Sequence, residues 1–383
     1  MTRRTACLTL PLLVACGGGG KAARGGDDLR PALAEGYAAI VVASMYDSLA
    51  AAEDLDAALA ALAEAPSAAA LDAARSAWRA SREPYLQTEV YRFSDGPIDN
   101  PTDGPEGFIN AWPLDEQHID AVEGDPTAGI VNGSDEITAD LLLAANEAGG
   151  EKNIATGFHA IEFLLWGQDH DPAGPGARPF TDYVPDGGGA PNAARRAQYL
   201  TTAGALLVGH LDQVHRAWDG GPHGQTWADD PEAALEDILT GMIVLSGFET
   251  GGERLQASLD SGDQEDEHSC FSDNTHRDMI QDVRGVQNVW RGSYTRTDGA
   301  VVSGVGVRAV VEAHDPALAA ALDAQIDESL ALAEALRPPY DQEIAPGSPG
   351  NARVEALIVS LRAQEQLLFE VFDGFGLSVL LPE

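Results

Sequence analysis

The sequence predicts an all-α protein built as two packed helical bundles with long irregular connecting loops. Three observations carry this. Apolar residues recur at helical spacing through most of the chain, strand-like alternation is nearly absent, and alanine, the best helix former, is abundant.

The first helix is read over 29–64, where Leu33, Tyr37, Ile40, Val41, Met45, Leu49, Leu55, Leu59 and Leu62 share a face and Pro66 closes the run. Ser67 then caps a second helix reaching about Phe93. Helical patterns return at 134–147, 154–166, 193–219, 230–260, 273–291, 316–336 and 351–373. Two Gly/Pro/Asp-rich connections, 94–133 and 167–192, exceed the usual length of structureless loops and read as lids or site walls. The second divides an N-terminal bundle (29–170) from a C-terminal one (190–383), a single merged bundle being the alternative. Residues 361–381 echo 78–93 in mixing Arg, Glu and Phe on a helix, which hints at approximate internal duplication.

Ahead of the helices, Arg3 and Arg4 precede a short apolar stretch over 6–15 and then Leu13-Val14-Ala15-Cys16. This order is a secretory signal too short to span a bilayer. Cys16 directly after a small residue marks a lipobox, so 1–15 is expected to be removed and Cys16 acylated, with 16–28 as a Gly-rich tether. Gly17 at the next position points to the outer membrane, facing the periplasm or the surface. Cys7 falls in the signal and Cys16 under the lipid, so Cys270 is left alone and a disulfide framework is excluded.

The formal net charge of −38 sets nucleic acid and anionic lipid surfaces aside as partners and favours cations near the surface. With only Lys21 and Lys152 as lysines, the acidity also reads as a compositional bias that gives solubility alone.

Chemistry concentrates in three places. His159 and Glu162 sit three apart in an apolar helical run, on one face and roughly 5–6 Å apart at Cβ, close enough to hold one cation or share one proton. A core His hydrogen-bonded to a core Glu is the plainer reading. On the second helix Trp78, Arg82, Tyr85 and Glu89 form one face, either a structural ion-pair network or a site wall. The segment 264–276 crowds Glu267, His268, Ser269, Cys270, Asp273 and His276 together, with Ser272 and Asp273 placed to open a helix. Cys270 among acids would have a raised pKa, which disfavours cysteine catalysis. The chain has no HExxH, HxxEH, Cys-x-x-Cys, phosphate-binding Gly-rich loop or GxSxG elbow.

The GxHxxE string at 157–162, followed by Phe163-Leu164-Leu165-Trp166-Gly167, resembles the imelysin-like family of bacterial envelope proteins. So do the Gly-Pro-Ile-Asp turn at 96–99, the Trp-Pro-Leu-Asp-Glu run at 112–116, the loop 178–183 and the string 265–276, and the resemblance spans about 31 to 381. It implies two helical bundles related by approximate duplication, with the motif near their interface. It further implies a link to iron acquisition, and a metallopeptidase classification taken from the family's namesake. His159 and Glu162 carry over as the central pair, and the residue chemistry of the other two clusters offers Glu89, Glu267, His268 and Asp273 as further metal ligands. Arg82, Tyr85, Trp112, Trp166, Ser269 and His276 are the expected ligand-binding or supporting residues. The expected cofactor is a metal ion, iron first and zinc or copper as alternatives. The expected partners are a metal or a small metal-bearing ligand such as a haem-related one, envelope iron-uptake proteins, and the membrane through a lipid only. A binding protein, a metallopeptidase using the same pair, and a non-catalytic docking protein are the three readings, of which binding is favoured.

Overall fold

The computed structural model describes residues 29–186 and 189–377, so the signal 1–15, Cys16, the tether 16–28 and the last residues of the tail lie outside the described residues. Apart from one two-stranded hairpin, the described regular structure is helical.

Helix α1 (Arg30–Glu64) begins with Pro31 in its first turn, where the missing N–H is harmless, and buries the apolar stripe expected of it. Ser67 caps α2 (Ala68–Leu86), its hydroxyl accepting the Ala70 N–H at 3.2 Å. This helix stops at Leu86, short of the expected Phe93. Pro84 lies in its last turn, and the chain tightens into a 3₁₀ turn at Glu89–Tyr91. The first long connection holds single turns α3 (Glu106–Ile109), α4 (Glu116–Ile119) and α5 (Gly129–Asn132), and α6 (Ala139–Ala145) is shorter than the helix expected there.

After α7 (Gly157–Trp166) and α8 (Ala193–Trp218) comes α9 (Pro222–Thr226). The run expected as one helix over 230–260 divides into α10 (Pro231–Ile243), a π-helical stretch Val244–Gln256, and α11 (Ala257–Ser261). Gly247, Gly251 and Gly252 lie in the wide-wound part, and π-helical turns concentrate at functional sites. Helix α12 (Thr275–Arg291) leads into β1 (Ser293–Thr295) and β2 (Val301–Ser303), antiparallel with Tyr294 opposite Val302. Three-residue strands are too short to show alternation, which is why the sequence does not announce them. Asp47 of α1 ties the hairpin down by accepting from Tyr294 Oη, the Arg296 guanidinium and Thr297 N–H. Helices α13 (Val307–His314), α14 (Pro316–Ala333), α15 (Asp341–Ile344) and α16 (Asn351–Phe375) complete the fold.

One apolar core runs from Leu33 through Trp78, Phe158, Leu207 and Trp290 to Phe375, because α1 packs against α2 on one side and α8 on another. A smaller cluster under α12 and α16 gathers Leu255, Met279, Val283, Tyr340, Leu357 and Leu361.

Gly36 marks how closely α1 meets the segment after β2. A Cβ there would lie 2.8 Å from Val305 O and 2.9 Å from Val305 N. Gly36→Ala is therefore expected to lower stability by about 1–3 kcal/mol, although alanine is the better helix former. A denaturant midpoint equal to or above wild type's would contradict this.

Candidate metal centre

The motif helix α7 is fixed at its start by packing and hydrogen bonds. Gly157 has φ +82° and a Cβ on it would lie 2.4 Å from Ile109 O, so the conformation and the space both demand glycine. Trp78 Nε1 donates to Phe158 O and Tyr199 Oη donates to Ala155 O, at 2.9 and 3.0 Å. The helix is buried all round.

Within it Nδ1 of His159 sits 3.0 Å from Oε2 of Glu162, both side chains being fully buried. The other carboxylate oxygen, Oε1, accepts from Ser272 N–H at 3.0 Å and Ser272 Oγ–H at 2.7 Å. Ser272, expected as a helix cap, instead serves Glu162, and Asn274 occupies the cap position of α12. Both Glu162 oxygens are thus engaged, and its geometry is that of a group that orients His159. The remaining imidazole nitrogen, Nε2 of His159, is buried without a hydrogen-bond partner.

A second histidine is held in the same way. His268 packs its ring 5.0 Å from that of His159, and its Nδ1 lies 2.8 Å from Oδ2 of Asp278. Asp278 also accepts from Arg82 at 3.1 Å, from Ser269 Oγ and from Asn274 Nδ2, while Arg82 donates to Asn110 Oδ1. Two carboxylate–histidine pairs face each other, the arrangement that fixes imidazole orientation at metal sites.

Burial, then Arg82 and His268, hold His159 well below the ordinary histidine range. Burial pushes Glu162 up to about 8, against the Ser272 donors and Arg82. Burial and then Arg254 lower His268 to about 4, against the pull of Asp278. For Asp278 burial alone would raise the pKa, but Arg82 and His268 outweigh it and keep the carboxylate ionised. Both histidines are therefore neutral near pH 7, the form that ligates metals.

A cleft of about 450 Å³ reaches His268, with Trp112, Asn110, Arg92, Arg254, Glu249 and Glu253 among its walls, and His159 lies buried behind it. The Trp112 ring lies 4.9 Å from that of His159. Glu89 is on the far side of an ion-pair network, its Oε2 accepting from Arg92 at 2.8 Å and Arg254 at 2.6 Å. Burial would raise its pKa, and those two guanidiniums hold it below the ordinary range. Arg254, from the π-helical stretch, also binds Glu249 and Asp282.

The residues expected at the site fall into distinct places. His159, Glu162, His268, Ser269, Arg82 and Trp112 come together. Tyr85 packs on Phe158 with ring centres 4.8 Å apart, behind the motif. Trp166 packs against Trp78, with Arg79 over its face at 4.9 Å. Glu267 and Asp273 are grouped with other carboxylates. His276, whose Nδ1 is 3.2 Å from Asp273 O, lines a separate cavity. Cys270 is buried, and burial followed by Glu162 pushes its thiol well up, so it is an inert core residue. Asp278, Asn110 and Arg254 were not singled out in the sequence. The available signal for Asp278 was its position ten residues after His268 and three after Thr275.

The Glu162 shift fixes a pH dependence. A carboxyl whose folded pKa is raised from 4.5 to about 8 stabilises the fold fully below its unfolded pKa and loses that contribution as pH rises through about 8. His159, neutral in the fold but half protonated near pH 6.5 when unfolded, opposes this slope at the acid end and no longer does so above about pH 7.5. The unfolding free energy of metal-free protein is expected to fall from pH 6.5 to 8.5, by up to about 1.4 kcal/mol per pH unit for one proton. Glu162→Gln is expected to make that slope shallower in chemical denaturation, and an unchanged slope would contradict the assignment.

Comparisons with known proteins agree on one group. A family model described as imelysin, carrying a peptidase label, matches residues 41–368. The chain is 26% identical over 317 residues to "Iron-regulated protein A" of Synechococcus elongatus, covering 81% of this chain and 77% of that protein. The fold is similar to the crystal structure of a candidate iron-regulated protein A precursor from Parabacteroides distasonis, with TM-score 0.69, 18% identity and coverage of 93% and 97%. It is also similar to that of an imelysin-like protein from Psychrobacter arcticum, with TM-score 0.62, 14% identity and coverage of 92% and 97%.

Proposed function

The chain belongs to the imelysin family, and from that premise we propose that it is an envelope lipoprotein that takes part in iron acquisition by binding iron, or a small iron-bearing ligand, at the His159–His268 pair. The observation that carries this reading is the buried Nε2 of His159, which has no hydrogen-bond partner although its Nδ1 is held by Glu162. A buried polar atom without a partner costs about 1–3 kcal/mol, and a metal ion satisfies it. With Nδ1 of each ring held by a carboxyl group, Nε2 of each is the nitrogen left for a metal, whose binding would release the proton that the Glu162–His159 pair carries below about pH 8. Imidazole suits iron, zinc and copper alike, and the name of the Synechococcus relative favours iron.

The cleft supplies the route and the further oxygen ligands, from water or from a bound chelate. Arg92 and Arg254 in its wall are already paired with carboxylates, and Glu106, Glu147, Glu151, Glu249 and Glu253 give the cleft an acidic lining that suits a cation. Acylation at Cys16 would tether the protein to the outer membrane, where envelope iron-uptake proteins would be its partners. No described helix is long and apolar enough to cross a membrane.

Binding is favoured over hydrolysis because a catalytic zinc site normally has three protein ligands and an open position beside a general base. Here Glu162 of the motif and Glu249 of the cleft wall are engaged by Ser272 and Arg254. The test is titration of purified protein with ferrous, ferric, zinc and copper ions, together with incubation of the loaded protein with a broad peptide pool. One ion per chain in the cleft and an intact pool is the expected result. Cleavage of the pool that His159→Ala abolishes would transfer the site to the peptidase reading.

A further inference from the structure

We propose that Asp169, Glu267, Asp273 and Asp341 form a second, all-oxygen cation site that takes Ca²⁺ and is separate from the His159–His268 pair. Asp169, Asp273 and Asp341 each offer one carboxylate oxygen, and these atoms lie within 4.8 Å of one another. They come from three segments: the turn after α7, the turn before α12, and the start of α15. All three side chains are more than nine-tenths buried, at 1%, 7% and 5% exposure.

Glu267 supplies an independent indication. It is fully buried, its carboxylate lies against that of Asp341, and neither of its oxygens has a hydrogen-bond partner. The same holds for both oxygens of Asp341, Oδ2 of Asp169 and Oδ1 of Asp273. Asp169 Oδ1 accepts from Asp171 N–H at 2.9 Å. Among the described residues none of the four carboxylates forms an ion pair. The opposite charge that acts on Asp273 is Arg79, whose Nη2 is spent on Ser272 O. Six buried carboxylate oxygens without donors need a counter-charge or protons.

The donor chemistry selects the ion. The set holds only carboxylates, with no imidazole or thiolate, which favours hard cations over zinc and copper. Oxygens drawn from three irregular segments fit the flexible coordination of Ca²⁺ by 6–8 oxygens at about 2.3–2.6 Å better than the strict octahedron of Mg²⁺. A cavity of about 420 Å³ lined by Arg79, Pro175, Ser272, Asp273, His276 and Pro339 gives the ion a way in from the surface. An ion here would bind both ends of the 267–273 turn, the turn that presents His268 to His159 and Ser272 to Glu162. Its role is to brace the first site, not to share its metal.

The experiment is thermal unfolding and metal analysis of the mature protein after removal of divalent ions, with CaCl₂ added back against a background of salt and excess Mg²⁺ that saturates the acidic surface. Wild type is expected to retain one Ca²⁺ per chain through gel filtration and to gain about 3–5 °C in Tm, reversed by EGTA. Asp273→Asn and Asp341→Asn are expected to lose that gain while their metal-free Tm equals or exceeds wild type's, since each removes a buried charge. His159→Ala is expected to keep the whole Ca²⁺ response, which separates this site from the iron reading. No Tm gain in wild type, the same gain in both Asn variants, loss of the gain in His159→Ala, or a gain with Fe³⁺ but not Ca²⁺ would each overturn the proposal. The first of these outcomes would mean that protons, not a cation, neutralise the cluster.

Discussion

Arg82→Met is expected to destabilise the protein by about 3–5 kcal/mol, among the largest effects of any single change in this chain. Arg82 and Asp278 are both fully buried, and their ion pair at 3.1 Å links α2 to α12 across 196 residues of sequence. Arg82 also donates to Asn110 and lies over the rings of Trp78, Tyr85 and Phe158. Methionine fills much of the volume but leaves Asp278 charged in the core, with only Ser269, Asn274 and His268 around it. Removing one partner of a buried pair costs far more than removing both. The double variant Arg82→Met with Asp278→Asn is accordingly expected to be more stable than Arg82→Met alone. Chemical denaturation measures both, and a loss below about 1 kcal/mol in the single variant would show that water or rearrangement solvates Asp278.

The second large effect falls on metal affinity. His159→Ala removes the nitrogen of the histidine pair that is buried and unpartnered, so binding there is expected to fall by more than the about 10–100-fold that loss of an orienting partner produces. Asp278→Asn, which leaves His268 in place but loosens its ring, is expected to stay within that 10–100-fold range. Competition against a chromogenic chelator gives both numbers. Equal losses in the two variants would mean that His159 acts on the metal only indirectly.

Local periodicity made much of this molecule legible. The apolar stripe of α1, the cap at Ser67 and the buried helix around His159 all follow from patterns within a few residues. The pairing of His159 with Glu162 is itself local, since i, i+3 spacing brings the two together on any helix. The partners that complete the site are not local. Asp278 in the first turn of α12 reads from sequence as a favourable helix-dipole residue, and only the packing of α2 on α12 turns it into the anchor of Arg82 and His268. Glu89 reads from sequence as part of an ion-pair network or as a site wall and ligand, and the partners that occupy it are two guanidiniums, one of them 165 residues away. The helical run 230–260 showed continuous periodicity, and no propensity distinguishes an α-turn from the π-turns that aim Arg254 and Glu249 into the cleft. Glu267 and His268 are neighbours in sequence, and the turn between them sends one to the carboxylate cluster and the other to His159.

The most direct test of the central claim is an anomalous difference map from a crystal soaked with iron and recorded at the iron absorption edge. One strong peak is expected between the rings of His159 and His268, within about 2.0–2.3 Å of both Nε2 atoms, with Glu162 and Asp278 still on the opposite nitrogens. A map with no peak at these rings, or with its strongest peak among Asp169, Asp273 and Asp341, would contradict it.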